Sequence, residues 1–325
     1  MRMQTGIAVN TDIDGSDGSP FPSIDMAAEA GFTHLTWGHQ WTTDFMYSHA
    51  EVRAIAKRLS ERGLRLTDTH GSSGIEKCWY SSVEYERLAG VELIRNRIDM
   101  TAALGGDAVV LHPMVTGPDE LDESREQGMQ SLRELEHHAV NAGVVLALEN
   151  IVRSERTGRR DDGRQCFETI EYFFDRFPPE FLGFCWDTGH CLITGEGAME
   201  RAAGLARERL RVLHLNDNPG DWDQHSPPLT WKPDGWEPVA EAIADSPYPP
   251  NKPLVFEIDA RNNGGNPSAF LHEVCEKATA FDEFYTRILH KRGRHRGAQS
   301  GRGGGRAHDG QRDDEREPGR RHFEK

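Results

Sequence analysis

Six short apolar runs in this chain each carry a metal-capable residue at or next to their end. The runs LTDTH, VVLH, LALEN, GFCWD, RVLH and LVFE supply His70, His112, Glu149, Asp187, His214 and Glu257. Successive members of this set are 42, 37, 38, 27 and 43 residues apart, close to one strand-plus-helix unit each. Because the carboxyl ends of parallel strands meet at one mouth of a barrel, the spacing predicts that these side chains converge there around a metal ion.

Apolar strand-like segments alternate with amphipathic helical segments along most of the chain. Strands are predicted at 5–12, 32–38, 64–70, 107–113, 144–150, 181–187, 211–217 and 253–259, each followed by a helix, the last over 267–290. Eight such pairs predict an α/β fold, a single-domain (β/α)8 TIM barrel over residues 1–290, rather than an open doubly wound sheet. No Gly-rich phosphate fingerprint follows the first strand, which disfavours a dinucleotide-binding domain.

The alternation of side chains along a strand gives a second test of this fold. Ala147 and Glu149 share one face of their strand, whereas Leu146 and Leu148 lie on the other. The same spacing pairs Val110 with His112, Cys185 with Asp187, Val212 with His214, and Val255 with Glu257. Each candidate ligand is therefore expected on the barrel axis, above a small or medium side chain.

The net charge of −15 is unevenly distributed along the chain. Residues 291–325 contain 11 Lys/Arg and 6 Asp/Glu, a net charge of +5, so residues 1–290 carry −20. An acidic body repels a phosphate backbone, which disfavours nucleic acid as a partner. The segment 291–325 is rich in Gly and Arg and has almost no apolar residues, so we predict a disordered tail that cannot bury a core.

The cysteines and the amino-terminal segment bear on the compartment. The five cysteines are odd in number and form no CxxC pair, which is typical of reduced thiols in a cytoplasmic protein. The first residues, MRMQTGIAVNTD, lack a secretory signal pattern, and no apolar stretch reaches the roughly 18–20 residues that a membrane helix needs. We therefore expect a cytoplasmic protein that does not associate with membranes, and a homo-oligomer stays open.

Two glutamates give the strongest indication of a metal. A carboxylate that closes an apolar strand has to be paired, protonated or metal-bound, because its desolvation is costly. Glu149 and Glu257 both meet this condition, whereas His112 alone would be equally well explained as a core histidine. Together with Asp187 and His214 they favour one divalent metal ion, Mn²⁺, Mg²⁺, Zn²⁺ or Co²⁺.

The segments that carry these residues resemble a known family. GGDAVVLHP, LALEN, GFCWDTGH followed by LITGE, VLHLNDN, DWDQH and VFEID are similar, in order and spacing, to the xylose isomerase-like TIM barrels. That superfamily comprises sugar-phosphate isomerases and epimerases and the endonuclease IV type of abasic-site nuclease. The resemblance covers about residues 5–290. It implies that the metal is held by Glu149, Asp187, His214 and Glu257, and that His190 binds substrate.

The resemblance leaves the two branches of the superfamily open. The nuclease branch uses three zinc ions, and this chain has matches for the further ligands, which many epimerase-branch members also keep: His70, His112, His190, Asp223 and His225. The segment after His214 lacks the longer basic, serine-containing insertion of the nuclease branch. It reads SPPLTWKPDG where epimerases normally have a Pro-Gly-x-Gly stretch. We expect these five residues to bind substrate rather than further metals.

Tryptophans and basic residues near predicted loops bear on the substrate. Apolar sugar faces stack on indole rings, so an aromatic rim at the barrel mouth favours a carbohydrate-like ligand, and Trp37 is a candidate substrate contact. The rim residues are Trp37, Trp41, Trp79, Trp222 and Trp231. Basic residues that could bind a phosphate are Arg153, Arg156, Arg159, Arg160, Lys232 and Arg261, so phosphorylated and neutral substrates both stay open.

These observations predict a metal-dependent isomerase or epimerase of a sugar, sugar phosphate or polyol. Glu149 and Glu257 would be catalytic, one removing a proton next to a carbonyl and the other returning it, through a metal-stabilised enediolate. Asp68, on the same strand face as His70, would orient that imidazole. The alternative is a metal-dependent dehydratase of the inosose or dehydroshikimate type. An abasic-site endonuclease is less favoured, and a non-catalytic binding protein is a further rival.

Overall fold

The computed structural model describes most of the chain. It covers residues 6–13, 18–71, 78–113, 121–152, 164–231, 235–264 and 266–300, with the side chains of 164 and 293–300 excepted. The chain divides into two compact units, Met1–Leu289 and His290–Lys325. Some predictions lie outside the described residues: the part of the predicted tail over 301–325, and the candidate phosphate contacts Arg153, Arg156, Arg159, Arg160 and Lys232.

Eight short strands alternate with nine helices in the described residues. The strands are β1 (Ile7–Asn10), β2 (His34–Trp37), β3 (Arg65–His70), β4 (Ala108–Leu111), β5 (Val145–Glu149), β6 (Leu182–Asp187), β7 (Leu210–His214) and β8 (Leu254–Phe256). The helices are α1 (Phe21–Ala30), α2 (His49–Arg62), α3 (Glu84–Leu104), α4 (Leu121–Ala142), α5 (Arg164–Phe174), α6 (Thr188–Thr194), α7 (Ala198–Arg209), α8 (Trp236–Ala244) and α9 (Pro267–Ser300). The last helix continues past residue 290, where the sequence predicted its end.

The strands form one parallel sheet that nearly closes on itself. Its order is β7-β6-β5-β4-β3-β2-β1-β8, so β8 pairs with β1 and the open edges belong to β7 and β8. An isolated parallel bridge between Leu215 and Phe256 joins these two edges, and the Leu215 N–H donates to the Val255 carbonyl at 2.9 Å. This near closure leaves little of the two strand edges unpaired, and it confirms the predicted (β/α)8 TIM barrel.

Capping at the helix ends determines how many residues separate each helix from the next strand. Ser48 and Glu51 form a capping box at the start of α2, in which the Ser48 Oγ accepts from the Glu51 N–H at 3.3 Å. Helices α1, α2 and α3 each end on a glycine in the left-handed conformation, at Gly31, Gly63 and Gly105. Each of these caps turns the chain back, so the next strand begins two or three residues later.

A short helix follows β6 that the sequence analysis did not predict. Helix α6 begins directly after the strand, and Asp187 is its N-cap, with Oδ1 accepting from the His190 N–H at 2.7 Å. The signal was present in the sequence, since an aspartate before Thr-Gly-His is a good capping residue. Because Asp187 was assigned a ligand role, its capping role was missed.

The barrel interior is apolar below four of the ligand-bearing positions, whereas the buried carboxyl group of Asp68 lies two residues before His70. A cluster of five buried side chains, separate from the larger core between the sheet and the helices, contains Ala108, Val110, Ala147, Cys185 and Val212. Four of these lie two residues before His112, Glu149, Asp187 and His214, as the strand pleat predicted. Val255 belongs to the larger core instead. Polar groups at four strand ends therefore stand on an apolar floor.

The described residues also include the helices and all five cysteines. No helix in the described part of the chain is both long and apolar enough to cross a membrane. All five cysteines are free, with Cys166, Cys185 and Cys191 buried.

Truncation of a core leucine tests the packing between the sheet and the helices. Leu148 on β5 has no exposed surface, so Leu148→Ala should lower the free energy of unfolding by about 2–5 kcal/mol. Chemical denaturation followed by circular dichroism measures the change. Leu88→Ala on α3 is the matched control, because Leu88 is 43% exposed and its truncation should change stability by less than about 0.5 kcal/mol. Equal losses in the two variants would contradict this packing.

Candidate metal centre

Four predicted ligands meet at the mouth of the barrel. One donor atom from each of Glu149, Asp187, His214 and Glu257 lies within 4.8 Å of the others, and we call this set the cage. The His214 Nδ1 is 2.9 Å from the Glu149 Oε1 and 3.0 Å from the Glu257 Oε2. Glu149, Asp187 and His214 are almost fully buried, whereas the Glu257 side chain keeps 16% of its surface exposed. The cage is therefore reached from the side of Glu257.

The charge state of the two glutamates fits a divalent cation. Burial would raise the pKa of Glu149, but His214, His112 and His70 hold it well below its usual value. Burial acts in the same direction on Glu257, and His214 and His225 lower its pKa to about 2. The buried Glu149 Oε2 has no hydrogen-bond partner among the described residues. Two ionised carboxylates, a third carboxyl group and an imidazole nitrogen are a donor set that Mn²⁺, Mg²⁺, Zn²⁺ and Co²⁺ accept.

Asp187 is held by two hydrogen bonds on opposite oxygens. Its Oδ1 caps α6 through the His190 N–H, and its Oδ2 accepts from the Asn216 Nδ2 at 2.9 Å. Burial raises the pKa of Asp187 to about 6, although His190 and His225 act against this rise. The orientation of this carboxyl group is therefore fixed by the protein before any ligand binds.

A second donor cluster lies beside the cage. The Nε2 atoms of His70 and His112 are 3.1 Å apart, and they lie 3.6 and 3.2 Å from the Glu149 Oε2. The His70 Nδ1 contacts the Gly71 carbonyl at 3.0 Å, which leaves Nε2 as the nitrogen that faces the site. The indole of Trp41 lies against both imidazoles, with ring centroids 4.3 Å from His70 and 5.2 Å from His112. This cluster thus has a polar side and an aromatic side.

A third cluster lies on the other side of Asp187. The Asp223 carboxylate contacts the His190 Nε2 at 3.3 Å and the His225 Nε2 at 3.0 Å. The His190 Nδ1 is 2.8 Å from the Asn150 carbonyl, which fixes the ring. Burial alone would lower the pKa of His190, but Asp187 and Asp223 outweigh it and raise the pKa to about 10. A cation or a hydrogen-bonding ligand could bind this cluster.

The structure brings together nine of the ten predicted site residues. They form three adjoining donor clusters that share Glu149 and Asp187: His70, His112, Glu149, Asp187, His190, His214, Asp223, His225 and Glu257. The strand-end members converge because the carboxyl ends of parallel strands open on the same mouth. His190 comes from helix α6, and Asp223 and His225 come from the segment after β7.

The tenth predicted residue, Trp37, is not available as a substrate contact. Its side chain has no exposed surface, and its Nε1 donates to the Tyr47 hydroxyl at 2.9 Å, so no face is available to a ligand. Trp79 is also buried, against Tyr80 and Phe173. Trp37 lies at the end of β2, where its side chain is buried in the core. The indole beside the histidines is that of Trp41. The expected rim is reduced to Trp41 and to Trp222 and Trp231, both about half exposed.

Asp68 does not orient His70, contrary to the expectation. One of its oxygens accepts from the Thr36 hydroxyl on the neighbouring strand, and Oδ2 has no hydrogen-bond partner among the described residues. Two residues along a strand span about 6.6 Å, so this carboxyl group lies well below the imidazole. Burial raises the pKa of Asp68. The partner of His70 is the Gly71 carbonyl instead.

A set of buried asparagines, which were not among the predicted site residues, lies behind the ligands. The Asn150 Oδ1 accepts from the Asp187 N–H at 2.9 Å, and its Nδ2 donates to the Asp187 carbonyl at 2.8 Å. Asn216 and Asn218 are also buried. The signal was their position, since each follows a strand-end ligand by one to four residues in LALEN and HLNDN. Arg261, the one described candidate for a phosphate contact, forms an ion pair with Asp259 at 2.6 Å.

Comparisons with known proteins agree with this architecture. The family model described as "Xylose isomerase-like TIM barrel" matches residues 24–276. The "Uncharacterized protein y4fM" of Sinorhizobium fredii is 29% identical over 261 residues, which cover 72% of this chain and 79% of that protein. The crystal structure of a D-tagatose 3-epimerase-like protein superposes with a TM-score of 0.66 and 18% identity, covering 88% of this chain and 99% of that one. At that identity, the likeness concerns the fold.

A nuclease is also among the similar proteins. The "Probable endonuclease 4" of Bacillus licheniformis is 29% identical over 140 residues, which cover 40% of this chain and 44% of that protein. The match thus spans less than half the length of that relative.

Cation binding should depend strongly on pH. Burial opposes a charge on His214, but Cys185, Glu257 and Glu149 outweigh it and raise the pKa of this histidine well above its usual value. A cation that binds the cage has to displace that proton, so its affinity should rise with pH and fall about tenfold per unit as the pH is lowered. Calorimetric titration with Mn²⁺ in buffers of different ionisation enthalpy measures the released proton. Affinity that is constant between pH 6 and 8 would contradict this linkage.

Proposed function

Because the chain belongs to the xylose isomerase-like TIM barrel family, we propose that it is a divalent-metal-dependent isomerase or epimerase of a sugar, sugar phosphate or polyol. The proposal rests on two ionised glutamates whose carboxylates contact the same imidazole. Glu149 and Glu257, from strands more than 100 residues apart in the chain, lie 2.9 and 3.0 Å from the same nitrogen of His214. Two carboxylates that approach one point from different strands are suited to proton transfer at a single carbon.

The cage residues Glu149, Asp187, His214 and Glu257 would hold the metal. The concentration of carboxylate oxygens and imidazole nitrogens within 4.8 Å of one another supports this assignment. When bound there, a divalent cation supplies Lewis-acid stabilisation of negative charge on the substrate's oxygens. Asp187 and His214 have no further role in the proposal, because both are buried and their hydrogen-bonding atoms are already engaged.

Glu149 and Glu257 would act as the acid and base. Their low pKa values leave both carboxylates unprotonated at neutral pH, as a general base must be. One carboxylate takes the proton from the carbon next to the carbonyl. The other, after taking a proton from solvent, returns one to that carbon. Return to the opposite face of the same carbon inverts the centre. Return to the neighbouring carbon, together with transfer of the hydroxyl proton from one oxygen to the other, moves the carbonyl.

The other clusters would bind the substrate's oxygens. His70 and His112 present two Nε2 atoms 3.1 Å apart, and His190 with Asp223 and His225 forms a separate cluster. Trp41 adds an apolar surface beside the first pair, which suits the C–H face of a sugar ring. A ligand with hydroxyl groups on its edges and carbon–hydrogen bonds on its face matches this arrangement.

Two other activities are distinguishable alternatives. A dehydratase of the inosose or dehydroshikimate type would use the same cage and bases. An abasic-site endonuclease is supported by the three adjoining donor clusters, one for each of the zinc ions that the resemblance implies. The net charge of −20 over residues 1–290 disfavours the nuclease, because an acidic surface repels a phosphate backbone.

A solvent-exchange experiment tests the proposed function. The purified protein, loaded with Mn²⁺, Mg²⁺, Zn²⁺ or Co²⁺, would be incubated in D₂O with ketoses, inositols and their oxidised forms. We expect deuterium at one carbon next to a carbonyl of a single substrate class, detected by NMR. A new unsaturated product would establish the dehydratase, and nicking of abasic DNA would establish the nuclease. Binding of a sugar without deuterium uptake would contradict catalysis.

Substitution of the glutamates tests their roles. Glu149→Gln and Glu257→Gln should each lower kcat by at least about a thousandfold, because a carboxamide cannot accept the proton. Glu237→Gln on α8, which is exposed, is the matched control and should leave kcat unchanged. Metal content has to be measured in parallel, since both glutamates are proposed ligands. Near-normal turnover in either variant would contradict its assignment.

A further inference from the structure

One buried side chain organises the loop that carries Asp223 and His225. The Asn218 carboxamide has no exposed surface and contacts four groups. Its Oδ1 accepts from the Gln224 N–H at 2.7 Å and from the His225 N–H at 3.1 Å. Its Nδ2 lies 3.2 Å from the Asn216 Oδ1 and 3.5 Å from the Asp223 Oδ1. Asn218 thus bonds the amino-terminal side of the 224–225 peptide segment and the Asp223 carboxylate to the protein interior.

Asn216 continues this path to the cage. Its Nδ2 donates to the Asp187 Oδ2 at 2.9 Å, and its main chain is fixed by Thr188, whose hydroxyl donates to the Asn216 carbonyl at 2.7 Å. The side chains of Asn216 and Asn218, which we call the amide relay, therefore join a cage carboxylate to the 223–225 loop. Both asparagines are fully buried, so water cannot replace the bonds that they make.

The backbone of the loop needs this support. His225 has a φ of 48°, in the left-handed region that residues with a β-carbon rarely adopt. Such a conformation persists only where the surroundings over-determine it. Asn218 binds its N–H, while the Asn263 Nδ2 and the Asp259 N–H donate to its carbonyl at 3.2 and 3.1 Å. Loss of the Asn218 bond would leave His225 free to relax away from His190 and Asp223.

A glycine leaves the space that the amide relay fills. A β-carbon at Gly189, in α6 between Asp187 and His190, would lie 1.8 Å from the Asn216 Oδ1 and 2.2 Å from the Asn218 Nδ2. Both distances are far below van der Waals contact, so a side chain at this position would displace the two amides. Helix propensity alone would favour alanine there. The glycine is required by the packing of the amide relay.

We propose that Asn216 and Asn218 are positioning residues that hold Asp223 and His225 in the geometry needed to bind substrate, with Gly189 providing their space. They act through the loop and make no contact with the reacting atoms. The consequence for catalysis rests on the proposed function, whereas the ordering of the loop does not.

Hydrogen exchange and kinetics of Asn218→Ala test this role. Exchange of the amides in peptides covering 219–231, followed by mass spectrometry on the metal-loaded full chain, should be at least about tenfold faster than in the unsubstituted protein. KM should rise about 10–100-fold while kcat changes less, because the bases of the cage stay in place. Unchanged exchange in a variant that still unfolds cooperatively would overturn the proposal. Failure to find a substrate would affect only the KM measurement.

Gly189→Ala reaches the same relay without removing a polar group. It should speed exchange over 219–231 and lower Tm, although alanine favours a helix. Gly204→Ala in α7 is the matched control, because a β-carbon there meets nothing within 4 Å. That control should leave loop exchange unchanged and keep or raise Tm. If Gly189→Ala behaves like Gly204→Ala, the amide relay does not pack as described and the proposal fails.

Discussion

The buried negative charge of the cage is the constraint on which the rest of the site depends. Glu149, Asp187 and Glu257 converge within a few ångströms of one another above an apolar floor. Carboxylates in such surroundings repel one another and lose their hydration, so they need compensating positive charge. The surrounding histidines and asparagines provide this compensation through contacts with the carboxylates. A divalent cation at the cage would complete it.

The groups that compensate the negative charge differ from one part of the site to another. The His214 imidazole contacts both glutamate carboxylates, whereas Asp187 is oriented by backbone and amide groups. The outer clusters combine imidazoles with Glu149 on one side and Asp223 on the other. One side carries an indole and the other a loop whose backbone is strained at His225. A cage that adjoins two chemically different clusters is suited to a small ligand with distinct faces.

Much of this arrangement could be predicted before the structure. The regular spacing of strand-end residues predicted the barrel, and the pleat predicted which side chains face its interior, because both follow from local geometry. Two of the errors, at Trp37 and Asp68, share one cause. Trp37 and Asp68 were placed by their position along a strand, but the neighbouring strands and loops supplied Tyr47 and Thr36 as partners. Contacts between distant segments are not encoded in a local pattern.

The sequence by itself determined the fold class, the apolar floor and the set of nine polar residues at the barrel mouth. Only the tertiary structure decided how these residues divide into three clusters, that Trp41 rather than Trp37 lies beside the histidines, and that Asn216 and Asn218 join Asp187 to the 223–225 loop. The physical reason is that strand periodicity is a short-range property of the chain. Which hydrogen-bond partner a buried amide or carboxyl group finds depends on segments brought together by closure of the barrel.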